Sequence, residues 1–197
     1  MKLQNALICL PDISGFTRFM SNTKIDLSHK VIPALLNEII YANDLKLKVS
    51  EIEGDAVLFY RVGEPPTLGE LINQCQAFYQ NFYQQIAKLL IQHQRSQDSD
   101  NIVEILGLKI IMHYGQVDLN KIGKRIKLIG EDVIIAHSLL KNSIPESEYV
   151  LFSENLLKLY DLDVNEGIPG YPFVAGSDQY SHLGDQHYKY MVMRPSF

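Results

Sequence analysis

From Leu68 to about His93, the residues Leu68, Leu71, Ile72, Cys75, Tyr79, Phe82, Tyr83, Ile86 and Leu90 recur in steps of three, one and four. This is the spacing of a long helix with one apolar stripe, and such a stripe has to be covered, here by one side of a sheet. The strands for that sheet are legible. Asn5 to Leu10 is a short continuous apolar run closed by Pro11, Asp12 and Gly15, the pattern of a central strand buried on both faces. Leu45, Leu47 and Val49 alternate with Lys46, Lys48 and Ser50 and lead, past Glu53-Gly54-Asp55, into Ala56 to Tyr60, a β-hairpin with those three residues at its tip.

A strand at Leu106 to His113, ended by Gly115, precedes a second hairpin of Gln116 to Leu119 and Lys124 to Ile129 about a turn at Asn120 to Gly123. Tyr149 to Phe152 and His187 to Met193 supply two more strands. Between these lie a short helix over Asp12 to Asn22, capped by Asp12 or Ser14, and a longer one over Asp26 to Ala42, with Pro33 tolerable only in its first turns. Helices are also expected over Glu131 to Lys141 and Asn155 to Leu159, with a polar loop at Arg95 to Asn101. The order β-α-α-β-β-α-β-β-α predicts an α+β fold with helices packed on a mainly antiparallel sheet.

At roughly 150 residues per domain, 197 residues make one domain, 1–197, with a core at about 5–142 and a C-terminal elaboration at 143–197. Lys and Arg number 18 against 23 Asp and Glu, without long basic clusters, which argues against bulk nucleic-acid binding or a charged membrane-surface role. Cys9 and Cys75 lie in apolar stretches without metal-ligand spacing and read as buried thiols of a reducing compartment, so a cytoplasmic location is expected. The longest apolar run, Ala6 to Pro11, is far short of the ~18–20 residues of a membrane span, and no signal peptide opens the chain.

Two acids stand out. Asp12 follows a buried strand and Asp55 sits at a hairpin tip; if those strands are neighbours, both carboxylates meet at one end of the sheet. Paired carboxylates are the ligands that Mg²⁺ or Mn²⁺ prefers, with the remaining positions left to water and phosphate oxygens. Free backbone N–H groups of the helix after Asp12 point to the same place. Each acid also has an ordinary structural use, Asp12 as a helix cap and Asp55 as a turn residue. His113 ends a strand and reads as a packed histidine, while His137, His182 and His187 lack the convergent spacing of a metal site.

Pro11-Asp12-Ile13-Ser14-Gly15-Phe16-Thr17 resembles the opening motif of the class III adenylate and guanylate (nucleotidyl) cyclase catalytic domains. Three further segments fall in that family's order: Lys48 to Phe59 resembles its Gly-Asp hairpin, Leu108 to Gly115 its strand ending His-x-Gly, and Gly130 to Leu140 its helix after the second hairpin. The chain is identified as a divergent, bacterial-type member. The resemblance implies a ferredoxin-like core, a homodimer with its active site between subunits, and a nucleoside triphosphate as substrate. It implies two ions held by Asp12, Asp55 and the Ile13 carbonyl, one activating the ribose 3′-hydroxyl for attack on the α-phosphate while pyrophosphate leaves. The turn Gly15, Phe16 and Thr17 and the base-selecting positions Glu51 and Lys127 would contact the substrate, Glu51 suiting guanine. The 11 Tyr and 8 Phe leave aromatic surface for a dimer.

The same alignment shows departures. Ile134 stands where the family has a transition-state Asn, and Ser138 where it has an Arg; neither can orient ribose or neutralise phosphate charge as those residues do. Gln116 takes a position that is often basic. Three readings follow. The chain is a slow cyclase in which Arg125, Lys127 or Lys141 replaces the lost pair, a degenerate cyclase homologue that binds nucleotide, metal or a partner protein, or a palm-type nucleotidyltransferase, which would need a polynucleotide-sized basic groove. Lys121, Lys124, Arg125 and Lys127 cluster on the second hairpin, where they could reach a triphosphate from the partner subunit or simply be solvated.

Overall fold

The computed structural model describes residues 3–96, 98–123, 125–164, 168 and 170–193. Strand β1 (Leu3–Ser14) is followed by helices α1 (Phe16–Asn22) and α2 (Ile25–Tyr41), the hairpin β2 (Lys48–Glu53) and β3 (Ala56–Val62), and helix α3 (Leu68–His93). Then come α4 (Asn101–Ile105), β4 (Gly107–Ile122), β5 (Arg125–Ile129), α5 (Glu131–Ser138), β6 (Tyr149–Ser153), α6 (Glu154–Leu157), β7 (Val174–Tyr180) and β8 (Gly184–Val192). The sheet runs β2-β3-β1-β4-β6-β8-β7, with β5 on the far half of β4. Its first four strands are antiparallel in the order of a ferredoxin-like core, and β4 with β6 is the one parallel pair among the described strands. The expected α+β class is what the chain adopts.

Both faces of the sheet are covered, as a continuous apolar β1 requires. Leu7, Cys9 and Ile13 face α1, α2 and α3, packing with Val31, Leu35, Phe78 and Phe82. The alternate residues Ala6, Ile8 and Leu10 face α5 and pack with Val133, Ala136 and Leu139. Asp12 continues this second row, so the period of two that buries the strand also aims the carboxylate toward α5. Helix α3 starts at a capping box: the Glu70 N–H donates to Thr67 Oγ1 at 3.3 Å, and the Thr67 N–H donates to the Glu70 carboxylate at 2.8 Å. None of the described helices is long and apolar enough to cross a membrane.

The structure corrects several expectations. β1 does not stop at Leu10, because pairing to β4 continues to Ser14 opposite Gly107. Asp12 and Ser14 are therefore strand residues and neither caps α1; Ser14 Oγ donates to the Ser147 carbonyl instead. Gly15 makes the turn with φ 78°, and a Cβ there would lie 2.1 Å from the Ile105 carbonyl oxygen. Pro33 is the ninth residue of α2 rather than in its first turns. It lies on the exposed side, where water can satisfy the His29 carbonyl that loses its helical partner.

The strand expected from Leu45 begins at Lys48, since Asn43 binds both backbone groups of Leu47 through its side chain, at 2.7 and 2.9 Å. Gly115 does not end β4: it pairs with Ala6, and the strand runs on through the first arm of the second hairpin to Ile122. The polar loop expected at Arg95 to Asn101 gives way at Asn101 to α4, which the sequence reading lacks, and β7 is an added strand at the sheet edge.

Candidate active site

Asp12 and Lys109 are direct cross-strand partners on β1 and β4, and the Lys109 Nζ donates to Asp12 Oδ2 at 3.1 Å. Lys109 also donates to the Leu140 carbonyl at 3.2 Å, which ties the acid to the segment after α5. Asp55 reaches the same place from the β2–β3 tip. Its backbone carbonyl accepts from the Ile13 N–H at 3.0 Å, and Gly54 beside it takes φ 61°, the left-handed conformation the tight tip needs. Together Asp12, Ile13, Ser14, Gly15, Phe16, Thr17, Arg18, Asp55 and Lys109 line one open cleft of about 330 Å³.

Burial is the main electrostatic influence here. It raises Asp12, outweighing the opposing pull of Lys109 and of His137 on α5. Asp55 is pushed up to about 6, first by burial and then by the Asp12 charge. Two carboxylates both raised by burial, one of them raised further by the charge of the other, are unfavourable without a cation beyond Lys109, and an all-oxygen donor set of two carboxylates with the Ile13 carbonyl suits a hard divalent ion. The residues present therefore fit Mg²⁺ or Mn²⁺.

The remaining expected site residues, Glu51, Lys127, Ile134 and Ser138, are not part of this cleft's lining. Glu51 lies in a separate groove of about 730 Å³ with Val49, Ile52, Tyr60 and Ile126, and it is paired to Lys127 at 3.1 Å, so the two positions expected to select the base bind each other. Ile134 is 58% exposed on α5, and Ser138, in the last turn of that helix, is half-buried. Lys124 lies outside the described residues, and the side chain of Arg125 does as well.

Sequence spacing missed two features. Lys109 lies within the Leu108–Gly115 segment, where spacing alone gives it no role, and its position opposite Asp12 follows only once β1 and β4 are known to pair in antiparallel register. His137, expected to stand apart from other ligands, brings its ring to Glu51 and Glu53, with one ligand atom from each lying within 4.8 Å of the others. More than eighty residues separate His137 from the two acids in sequence, and they meet only because α5, packed on β4 and β1, carries the His137 ring to β2.

His113 has the packed role expected of it. Buried, it bridges Ser153 Oγ and Asp132 Oδ1, each at 2.8 Å, and Asp132 Oδ2 accepts from the Gln116 N–H at 2.7 Å. Burial works against the Asp132 charge, yet these hydrogen bonds hold its carboxyl below the usual range. The network fixes the start of α5 to β4. It also explains Gly115, where a Cβ would fall 1.9 Å from the Asp132 carboxyl carbon.

Comparison with known proteins bears on the family and the fold. Residues 32–149 match the family described as "Protein of unknown function (DUF2652)". An uncharacterized protein of Mycobacterium tuberculosis, Rv2561/Rv2562, is 27% identical over 120 residues, 61% of this chain and 56% of that protein. The chain thus spans little more than half the length of this curated relative. Among solved structures, a bacterial light-regulated adenylyl cyclase superposes with a TM-score of 0.62 at 17% identity, over 97% of this chain and 52% of that one. The guanylate cyclase domain of RhGC from Catenaria anguillulae in complex with GTP also gives 0.62 at 17% identity, over 99% of this chain and 100% of that one. At such identities the likeness shows a shared fold. The chain belongs to the DUF2652 family and has the fold of a class III nucleotidyl cyclase catalytic domain.

Proposed function

We propose that this cyclase-like domain, acting as one unit over 1–197, binds a nucleoside triphosphate with Mg²⁺ or Mn²⁺ and converts it slowly to a 3′,5′-cyclic nucleotide and pyrophosphate. The observation that carries the reading is the meeting of Asp12 and Asp55 in one cleft with the Gly15–Thr17 turn. When bound, the divalent ion supplies Lewis-acid polarisation of phosphate and activation of a hydroxyl. Asp12, Asp55 and the Ile13 carbonyl are the residues that would hold it. The turn would seat the phosphates, and Lys109 would offset negative charge beside Asp12. A homodimer, the arrangement we propose, would set the exposed Ile134 against a partner's cleft.

Slow turnover follows from what α5 offers. An isoleucine and a serine stand where donors to ribose and phosphate are needed, and one lost transition-state donor typically slows a reaction about 10²- to 10³-fold. A second reading, a degenerate homologue that binds nucleotide and metal without turnover, is favoured by the Glu51–Lys127 pair, which occupies the base-selecting groups with each other. Incubation with each of the four ribonucleoside triphosphates and Mn²⁺, followed by mass detection of products, separates the two. Cyclic product that vanishes in Asp55→Ala supports the enzyme; nucleotide binding without product supports the degenerate homologue.

A further inference from the structure

We propose that the Lys109 ammonium is a resident cation of the acid pair and limits it to a single divalent ion. The inference rests on the metal reading above but goes beyond it. Lys109 is fixed rather than mobile in role: its Nζ holds Asp12 Oδ2 at 3.1 Å and the Leu140 carbonyl at 3.2 Å, and its side chain is only 21% exposed. It is also anchored from below, because Lys109 pairs with Asp12 on one side and with Tyr149 on the other, all on one sheet face.

The charges lining the cleft are Asp12 and Asp55 against Lys109 and the exposed Arg18, a formal balance of zero. Of the two cations, Lys109 touches a carboxylate. One divalent ion brings the lining to +2 and a second to +4, before any phosphate arrives, and the second would have to share Asp12 with an ammonium already hydrogen-bonded to it. Charges held this close in a partly buried site interact strongly, so an ammonium and two divalent ions are not accommodated by two carboxylates. Lys109 therefore fills the place a second ion would take, as a point charge already held by Asp12 and the Leu140 carbonyl.

Mn²⁺ alone, titrated into the full chain and followed by the electron paramagnetic resonance of the free ion, tests this without turnover. Wild type is expected to bind one Mn²⁺ per chain at an Asp55-dependent site. Lys109→Met is expected to bind Mn²⁺ at least about tenfold more tightly, since a positive charge is removed beside the ion. Lys109→Arg, which keeps the charge, is expected to stay near wild type, and circular dichroism checks that each variant is folded. Asp55-dependent binding that Lys109→Met leaves unchanged, or two such ions on wild type, overturns the role of Lys109 alone. Absence of Asp55-dependent binding from wild type and Lys109→Met alike overturns the metal reading with it.

Discussion

Lys109 and Asp12 sit opposite one another on adjacent antiparallel strands, and the 3.1 Å contact between them places a buried acid and its counter-charge at the mouth of the cleft. Asp12 is 8% exposed, so it depends on that partner. Asp12→Asn should cost about 1–3 kcal/mol of stability in urea unfolding, because a neutral amide no longer offsets the charge of the Lys109 ammonium, whose other acceptor is the Leu140 carbonyl. The double variant Asp12→Asn with Lys109→Met should cost less than the two single changes added together.

Gly115→Ala should be among the most damaging single methyl additions in the chain. The new Cβ would overlap the Asp132 carboxylate, forcing it off His113 and the Gln116 N–H. Overpacking with loss of two hydrogen bonds suggests about 2–4 kcal/mol, read as a lower Tm. Asp132→Ala should partly relieve the overlap, so that the pair of changes is less than additive.

Much of the fold was legible because its signals are local. The stripe on α3 and the continuous apolar run of β3 are patterns that burial enforces residue by residue, and both elements lie where the sequence puts them; the alternation leading into β2 misleads, since Val49 is exposed and Ser50 buried. Boundaries failed where a distant partner decided them. β1 runs on to Ser14 because β4 lies beside it, and β4 runs through Gly115 because Asp132 on α5 packs against the bare Cα. In the site, Asp12 and Asp55 could be named from neighbouring strands and a hairpin tip. Lys109 could not be given a role, since its meaning is its register opposite Asp12, and the approach of His137 to Glu51 and Glu53 depends on how a helix lies over a strand.

The pH dependence follows from Asp55. Its folded pKa is raised from 3.8 to about 6, so between those values the native state holds a proton that the unfolded chain does not. The metal-free protein should therefore gain stability as pH falls from about 6 toward about 4, and this gain should be smaller in Asp55→Asn, where Asp12 and Glu148, both also raised by burial, still contribute; thermal melting across that range checks it. Mn²⁺ binding should run the opposite way, weakening below pH 6 as the proton competes for the carboxylate.

Ile134→Asn combined with Ser138→Arg should raise cyclic-nucleotide formation measured by mass detection. Each restored donor is expected to contribute up to about 10²-fold if it faces a partner subunit's cleft. Ile134 is 58% exposed, so the first substitution should leave stability within about 0.5 kcal/mol. An unchanged rate in a folded dimeric double variant would show that α5 does not complete the site.

Anomalous diffraction from crystals soaked in Mn²⁺ tests the central claim most directly. The account predicts a single strong peak in the cleft, in contact with both the Asp12 and Asp55 carboxylates, that is lost in Asp55→Asn. A cleft without manganese, in crystals where the ion instead binds at Glu51, Glu53 and His137, would contradict it.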